Sequence, residues 1–252
     1  MLKNKDIYRF DVVLPVGPNE LPIINHVVNL IKTNVKGFNN IYLITPDETL
    51  SIDGCVTIDE NIFPFTKKEI TEILGESCRI AWVYQQLLKL YAVNIIPDCL
   101  DNILILDSDV FILKELNFME NDKPIFTVGC EHTIEYHEHS KKLHPSLVRV
   151  DQKYSGVSHH MLFTRKYLKE LFDLIEKYNN KLFFNVFLES IDNRDKNNFR
   201  CSEYEIYFNF MCLYHHDSII IRELVWDNVP YLANDIVNKY DYVSIPKWLG
   251  TR

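Results

Sequence analysis

The sequence predicts an α/β protein whose central sheet is mostly parallel and is flanked by helices. Short apolar runs of strand length occur at 12–16, 41–44 and 103–106, each bounded by turn residues. Amphipathic repeats with helical spacing lie between them, at 21–33 and 78–95. Strands that alternate with helices are typical of parallel sheets, because a parallel pair needs a long crossover connection.

The composition is that of an ordinary globular protein, with 252 residues of which 47% are hydrophobic and 25% charged. The net charge is −8 and no long basic run occurs, so nucleic acid is not an expected partner. The polar first six residues lack the apolar part of a secretory signal, and no apolar run approaches the length of a membrane span. None of the six cysteines form a CxxC pair, so we expect reduced thiols and a cytoplasmic protein.

Strands and helices alternate in the first half of the chain. The predicted strands are 8–15, 40–45 and 55–58. The predicted helices are 21–33, 67–74 and 78–95. The last of these helices leads directly into the apolar run that begins at Ile103, so we expect its polar residues to lie near the end of that strand.

The second half is predicted to hold further strands and three helices. The strands are 124–128, 218–224 and one entered from the loop at 154–158. The helices are 167–178, 182–191 and 202–213. The polar stretch 131–144 favours a mobile loop over the site, and its histidines are His132, His137, His139 and His144. The tail, 226–252, mixes aromatic residues, prolines and charges, and we expect it to wrap the surface.

The clearest candidate site lies where the apolar residues 103–106 run into Asp107-Ser108-Asp109. An unbroken apolar run bounded by turn residues predicts a strand that is buried on both faces. Two carboxylates at its end are costly to bury unpaired, so we expect them at the carboxyl edge of the sheet, where ligands bind. If a turn at Ser108 breaks the pleat, both can reach one magnesium or manganese ion. The alternative is an acidic turn without a ligand.

Two further features suit a nucleotide. The loop Pro15-Val16-Gly17 follows the first buried strand, where α/β folds hold nucleotides, although the dinucleotide pattern GxGxxG is absent. The helix before Asp107 carries Arg79, Gln85 and Lys89, and a cation there can contact a phosphate held by the metal. A solvated helix face is the alternative for each of these three residues.

Two clusters later in the chain hold further ionisable groups. His159 and His160 are adjacent, so on a strand they point to opposite faces and at most one of them faces a cleft. Ser202 and Glu205 fit a capping box at a helix start, which gives Glu205 a structural role. Glu203, in the first turn of the same helix, is freer to point into a cleft.

The order of these motifs resembles that of GT-A-fold glycosyltransferases, and of family 8-type enzymes in particular. The stretches that carry the resemblance are Tyr84–Tyr91, Ile103–Ile112 with its Asp-x-Asp, Ser155-Gly156-Val157 and Ser202–Glu205. Together with 159–163, they are also similar to poorly characterised DxD glycosyltransferases of bacteria and large DNA viruses. The resemblance covers roughly residues 8 to 225. It implies a single domain with a Rossmann-like sheet, in which about 1–115 bind a nucleotide sugar and about 116–252 bind the acceptor.

The implied activity is metal-dependent transfer of a hexose from a nucleotide sugar, a UDP-sugar by preference, to a glycan or another hydroxyl acceptor. The resemblance implies that Asp107 and Asp109 hold Mn²⁺ or Mg²⁺, that Ser108 lies near the ribose and that the loop 15–17 meets the base. It also implies a phosphate contact for Lys89.

In such enzymes a late histidine often completes the metal site, and the candidates here are His215 and His216. The family's C-terminal His-x-x-Gly-x-Lys-Pro-Trp pattern is missing, and Pro246-Lys247-Trp248 is only a partial match. An inverting enzyme needs a base on the acceptor hydroxyl, for which the candidates are Glu203, His159 and His160. A retaining enzyme can do without one, so the stereochemical outcome stays open.

Two alternatives remain at this level. A HAD-type phosphatase also ends a strand with Asp-x-Asp, but its first Asp is a nucleophile near the start of the chain, and Asp107 lies late. A non-catalytic carbohydrate-binding protein of the same fold is the second alternative. Hydrolysis of a simple aryl phosphate that is lost in Asp107→Asn would favour the phosphatase, and the lack of metal-dependent binding of nucleotide sugars would favour the non-catalytic protein.

Overall fold

The computed structural model describes residues 9–131, 133–192, 194 and 199–249. Tyr8, where the first predicted strand began, and His132 lie outside the described residues. The strands are β1 Phe10–Pro15, β2 Val35–Lys36, β3 Phe38–Thr45, β4 Val56–Asp59, β5 Asn102–Leu106, β6 Val110–Ile112, β7 Leu116–Asn117, β8 Met119–Glu120, β9 Lys123–Thr127, β10 His160–Thr164, β11 Ile220–Arg222, β12 Trp226–Asn228 and β13 Tyr242–Ser244. The helices are α1 Ile24–Asn34, α2 Lys67–Leu74, α3 Ile80–Ile95, α4 Ile134–Leu143, α5 Arg165–Asn179, α6 Phe183–Glu189, α7 Glu203–Tyr214 and α8 Asn234–Lys239.

The central sheet has five strands in the order β10-β5-β1-β3-β4. Strands β4, β3, β1 and β5 run parallel to one another, and only β10 is antiparallel to its neighbour. The predicted α/β class with a mostly parallel sheet is therefore confirmed. The parallel strands all end at the same edge, so the loops after β1 and β5 meet there.

Strand β5 separates two hydrophobic cores, which explains its unbroken apolar sequence. Ile103 and Ile105 face a core formed with the helices α3, α5, α6 and α7. Leu104 and Leu106 face a second core, shared with α1, β6 and β13. All four side chains are fully buried, as expected for a strand that is covered on both faces.

Helices α2 and α3 deliver the chain into β5. Thr66 and Glu69 form a reciprocal capping box at the start of α2, whose bounds are those predicted from the sequence. Most of α3 is buried, because its broad apolar face packs against the sheet. Lys89 lies on this buried face rather than on a solvated one, so it needs partners inside the protein.

The expectation of a mobile loop at 131–144 is wrong, because residues 134–143 form the helix α4. The stretch is mostly polar and gave little helical periodicity, yet Tyr136, His139 and Leu143 share one buried side of the helix. Packing of that side, rather than strong amphipathicity, stabilises α4.

The tail does not only wrap the surface, because part of it enters the second core. Strand β13 pairs antiparallel with β6, and Tyr242 and Val243 are fully buried. This pairing brings the residues after β13 beside the turn that follows β5. None of the helices in the described ranges combines the length and the apolar character that crossing a membrane requires.

Candidate functional site

A cleft of about 620 Å³ opens at the carboxyl ends of β1, β3 and β5. It is lined by residues from both halves of the chain, including all of the residues predicted to form the site except His160, His215 and His216. The predicted residues that line it are Pro15, Val16, Gly17, Arg79, Gln85, Lys89, Asp107, Ser108, Asp109, His159 and Glu203.

The turn after β5 is fixed by hydrogen bonds to its neighbours. Ser108 is buried and its hydroxyl donates to the carbonyl of Pro15 at 2.8 Å. The amide of Asp107 donates to the carbonyl of His159 at 2.9 Å, and the amide of Ile245 donates to the carbonyl of Asp109 at 2.9 Å. The pleat thus ends at Ser108, and the two carboxylates enter the cleft at defined positions.

Lys89 connects two carboxylates inside the protein. Its side chain is only 3% exposed, and its Nζ donates to Asp107 and, at 2.7 Å, to Oε1 of Glu203. Burial alone lowers the pKa of Lys89, but the charges of Asp107 and Glu203 outweigh burial and raise it. Lys89 is therefore held as an ammonium ion at the base of the cleft.

Asp107 has two more donors, and one of them was missed in the sequence. The hydroxyl of Tyr204 donates to Oδ1 of Asp107 at 3.0 Å, and Nδ1 of His159 lies 3.1 Å from its Oδ2. Burial raises the pKa of Asp107, but Lys89 and His159 more than offset this and hold it below its usual range. Tyr204 was missed because a tyrosine in an apolar helix predicts core packing, and its position beside Glu203 was the available signal.

His159 occupies an unusual backbone conformation. Its φ is +62°, in the left-handed region that residues other than glycine rarely adopt. Its ring is held between Asp107 and Trp226, whose ring lies edge-on with centroids 5.3 Å apart. Burial lowers the pKa of His159, yet the hydrogen bond to Asp107 and the charges of Asp107 and Asp109 raise it.

The residues present fit a divalent cation that is bound through oxygen. Three carboxylates, Asp107, Asp109 and Glu203, line the same cleft and supply the oxygen ligands that such an ion prefers. A carboxylate has about four lone-pair sites, and Asp107 uses three of them for its donors. Within the described ranges, no group of three or more His, Cys, Asp or Glu side chains is arranged to hold a metal. Magnesium-type ions need no such cage, since one or two carboxylates, substrate phosphates and water suffice.

The assignment of His160 as a catalytic candidate is corrected by its position. His160 is 1% exposed, its Nε2 lies 3.0 Å from Oγ1 of Thr127, and its ring packs against Tyr242 with centroids 4.7 Å apart. Burial lowers the pKa of His160 well below its usual value. It is a neutral core residue on the opposite side of β10 from the cleft, so it cannot reach an acceptor.

His215 does not join Asp107 and Asp109. It follows the last residue of α7, whose first turn holds Glu203, so about 18 Å of helix separates the two ends. Its Nε2 lies 2.7 Å from Oε2 of Glu170, and its ring packs on Tyr167. His216 is paired with Asp217 on the surface, so neither histidine supplies a third ligand to the pair of aspartates.

Glu203 and Glu205 diverge from the same helix start. Ser202 caps α7 by accepting from the amide of Glu205 at 3.2 Å, which is half of the predicted capping box. The carboxylate of Glu205 instead accepts from the hydroxyl of Ser155 and from Asn209. Glu203 lines the cleft but is 3% exposed and is engaged with Lys89, so it is less free than the sequence suggested.

The cleft contains further residues that sequence analysis did not select. The aromatic and basic ones come from separate parts of the chain and include Trp82, Tyr136, Arg200, Tyr204, Lys247 and Trp248, and the acidic ones are Glu20, Glu60 and Glu131. Lys247 donates to Oδ1 of Asn19 at 2.8 Å, across the loop that follows β1. The partial match at Pro246-Lys247-Trp248 was the only sequence signal for this segment.

The chain belongs to the DUF6492 family, a family of unknown function, whose pattern matches residues 29–227. No curated protein matches the sequence. Among solved structures, the chain is similar to the galactosyltransferase LgtC in complex with donor and acceptor sugar analogues. That similarity has a TM-score of 0.48 and 11% identity, over 93% of this chain and 86% of the other. It is also similar to mouse xyloside xylosyltransferase 1 in its apo form. That similarity has a TM-score of 0.41 and 13% identity, over 93% of this chain and 97% of the other.

Proposed function

We propose that the protein is a metal-dependent glycosyltransferase of the GT-A type. It would transfer a sugar, a hexose by preference, from a nucleotide sugar, with UDP favoured, to a hydroxyl of a glycan or another acceptor. The observation that carries this proposal is the pair Asp107 and Asp109 at the carboxyl end of a buried parallel strand, in one cleft with the loop after β1 and with Lys89.

The donor would lie across the carboxyl edge of the sheet. The loop Pro15–Gly17 would contact the base, and Ser108, bonded to Pro15, would lie beside the ribose. Lys89 and Lys247 supply positive charge on two sides of the aspartate pair. In this arrangement residues 1–115 hold most of the donor and residues 116–252 supply most of the acceptor side.

Asp107 and Asp109 would hold Mn²⁺ or Mg²⁺ against the diphosphate. When bound, the ion acts as a Lewis acid that stabilises negative charge on the leaving nucleoside diphosphate. The remaining work falls to the chain itself. Tyr204 and His159 orient Asp107, and Glu203 holds Lys89 in place, so the charges around the diphosphate are positioned before the donor arrives.

The acceptor hydroxyl would approach from the side of Glu203 and His159, the two catalytic candidates that line the cleft. An inverting reaction needs one of them to take the proton of that hydroxyl, whereas a retaining reaction does not. Glu203 is bonded to Lys89 and His159 to Asp107. To act as a base, Glu203 would therefore have to break its contact with Lys89, or His159 its contact with Asp107.

Calorimetry of UDP and Mn²⁺ binding tests the proposal directly. We expect UDP binding that depends on Mn²⁺ in the natural protein and is lost in Asp109→Asn, because an amide oxygen is a poorer ligand than a carboxylate. Asp122→Asn is the matched control, since Asp122 lies in an exposed turn outside the cleft and its left-handed backbone suits asparagine.

A screen of nucleotide sugars for metal-dependent hydrolysis then identifies the donor and tests the preference for a hexose. UDP affinity that is unchanged without Mn²⁺ and in Asp109→Asn would contradict the metal assignment. Hydrolysis of a simple aryl phosphate that is lost in Asp107→Asn would favour the phosphatase instead. Metal-dependent binding without transfer to any hydroxyl, water included, would favour the non-catalytic sugar-binding protein.

A further inference from the structure

Two arginines form a separate positive group at the start of α3. Arg79 is the residue before the first turn of α3, and Arg200 lies three residues before α7. Both line the main cleft, and Arg200 also borders a second cavity of about 540 Å³. The first turn of α3 has no acidic residue, and Arg79 makes no side-chain capping bond there.

The surroundings of the two guanidinium groups are largely aromatic. Arg79 stacks over the ring of Trp82, 3.9 Å from its centroid. Both arginines line one cleft; burial lowers the pKa of Arg79, Tyr136 opposes this and the charge of Arg200 adds to it, as expected for two cations that share one site. Arg200 hydrogen-bonds Tyr136. Among the described residues, the buried Nε of Arg200 has no hydrogen-bond partner.

We propose that Arg79 and Arg200 bind an anionic substituent, a phosphate or a carboxylate, on the acceptor saccharide. A guanidinium fork matches the oxygens of either group, and one shared anion relieves the repulsion between the two cations. Trp82 and Tyr136 offer flat apolar faces beside the same position. This inference rests on the proposed function, because it names the class of acceptor for the same cleft.

Helix geometry favours the acceptor over the donor as the source of the anion, which replaces the donor-phosphate contact that the sequence predicted for Arg79. Arg79 and Lys89 are ten residues apart on α3, which separates their backbones by about 15 Å along the axis. Lys89 is paired with Asp107, beside which the donor diphosphate would lie. Helix α3 runs into β5, so its start projects beyond the carboxyl edge of the sheet, towards the entrance of the cleft. Arg200 belongs to the half that would hold the acceptor.

The arginine pair is not surrounded by positive charge alone. Glu131 is exposed, lines the cleft and contributes to raising the pKa of Tyr136 to about 12, after burial as the larger cause. The neighbouring cavity beyond Arg200 contains both acids and bases: Glu135, Glu138, Lys142, Asp192 and Arg194. Such a mixture selects for an anion of defined position rather than for any polyanion.

The test compares matched sugars on the full chain. Calorimetry with UDP and Mn²⁺ present would measure binding of a set of hexoses, each as the neutral sugar, the 6-phosphate and the uronic acid. We expect one anionic form to bind at least about tenfold more tightly than its neutral parent, a factor that one charge-assisted hydrogen bond supplies. Comparison of the 6-phosphate with the uronic acid identifies which anion is recognised.

Variants then locate the binding site. Arg79→Gln and Arg200→Gln should each remove the preference for the anionic sugar and leave UDP affinity unchanged. Arg79→Lys keeps the charge without the fork and should lose only part of the preference, which controls for a Gln variant that folds poorly. Arg9→Gln is the matched control, because Arg9 is an exposed arginine at the opposite edge of the sheet.

The outcomes separate this inference from the proposed function. Loss of UDP affinity in Arg79→Gln or Arg200→Gln would assign the pair to the donor and overturn the inference. Equal affinity for anionic and neutral sugars in a protein that binds UDP and Mn²⁺ would overturn the inference alone. If the natural protein binds no UDP with Mn²⁺, the proposed function fails and the acceptor inference fails with it.

Discussion

Lys89 is the residue on which the charged network of the cleft depends. It is buried between Asp107 and Glu203, and no other cation among the described residues donates to both. A buried ion pair adds little stability by itself, but removal of one partner leaves an uncompensated charge. Loss of Lys89 would leave Glu203 without its cation, whereas Asp107 would keep its contacts to Tyr204 and His159.

We predict that Lys89→Met lowers the free energy of unfolding by about 3 kcal/mol or more, because methionine fills the space and leaves the buried carboxylate of Glu203 without its cation. Urea denaturation at pH 7 measures this change. The double variant Lys89→Met with Glu203→Gln should lose less stability than the sum of the single variants, since it removes the charge of Glu203 that Lys89→Met leaves unpaired. Lys68→Met, on the exposed face of α2, should change stability by less than about 0.5 kcal/mol. A stable Lys89→Met would contradict the network.

At the scale of elements, sequence reasoning succeeded where one element contained the whole signal. Strand β5 and its two aspartates are contiguous, so burial, turn and carboxylates could all be predicted together. Strand alternation predicted that at most one of His159 and His160 faces the cleft. His159 does line it and His160 does not, but His159 precedes β10 in a left-handed conformation, so the reason is that turn rather than alternation. Alternation could not say which of the two it would be.

Sequence reasoning failed where a signal depends on distant partners. Strand β13 is short and surrounded by charges, and its burial comes from pairing with β6, about 130 residues earlier. The role of Tyr204 depends on how α7 packs beside β5, which no local pattern reports. Helix α4 was missed because its stability comes from contacts of a few buried residues, among them His139.

We predict that His139 makes stability fall as the pH falls from about 6.5 to about 4. His139 is 2% exposed, and burial lowers its pKa to about 4, helped by Lys142 and opposed by the bond to the carbonyl of Phe187. Between these pH values the unfolded chain binds a proton that the folded protein does not, so acid favours unfolding. Over this whole pH range, the free energy of unfolding should fall by about 3 kcal/mol.

Urea unfolding at pH 7 and pH 5 tests whether His139, on α4, causes this pH dependence of stability. His139→Gln keeps a donor for the carbonyl of Phe187 but has no titrating group, so its stability should change less between the two pH values than that of the natural protein. His216→Gln, which alters a largely exposed ring, should retain the full change. An equally steep loss in His139→Gln would remove His139 as a cause.

At the scale of the whole molecule, the cleft is assembled from parts that are far apart in the sequence. The end of β1 holds Ser108, α3 contributes Lys89, and the start of α7 contributes both Glu203 and Tyr204 to the network around Asp107. The segment after β13 completes it, because Ile245 bonds the backbone of Asp109 and Lys247 reaches Asn19. The site therefore exists only when both ends of the described chain have docked on the sheet.

We predict that Lys247→Met weakens binding of UDP with Mn²⁺ by roughly three- to tenfold, a modest effect because the side chain is exposed and solvent screens its charge. The ammonium of Lys247 lies in the cleft and donates to Asn19 in the loop after β1, the loop that would contact the donor in the proposed function. Calorimetry at low and high salt measures the effect, which should shrink as salt screens the charge. Lys239→Met is the control, since Lys239 bonds Tyr240 outside the cleft. Unchanged UDP affinity in Lys247→Met at low salt would show that the segment after β13 supports the cleft without contacting the donor.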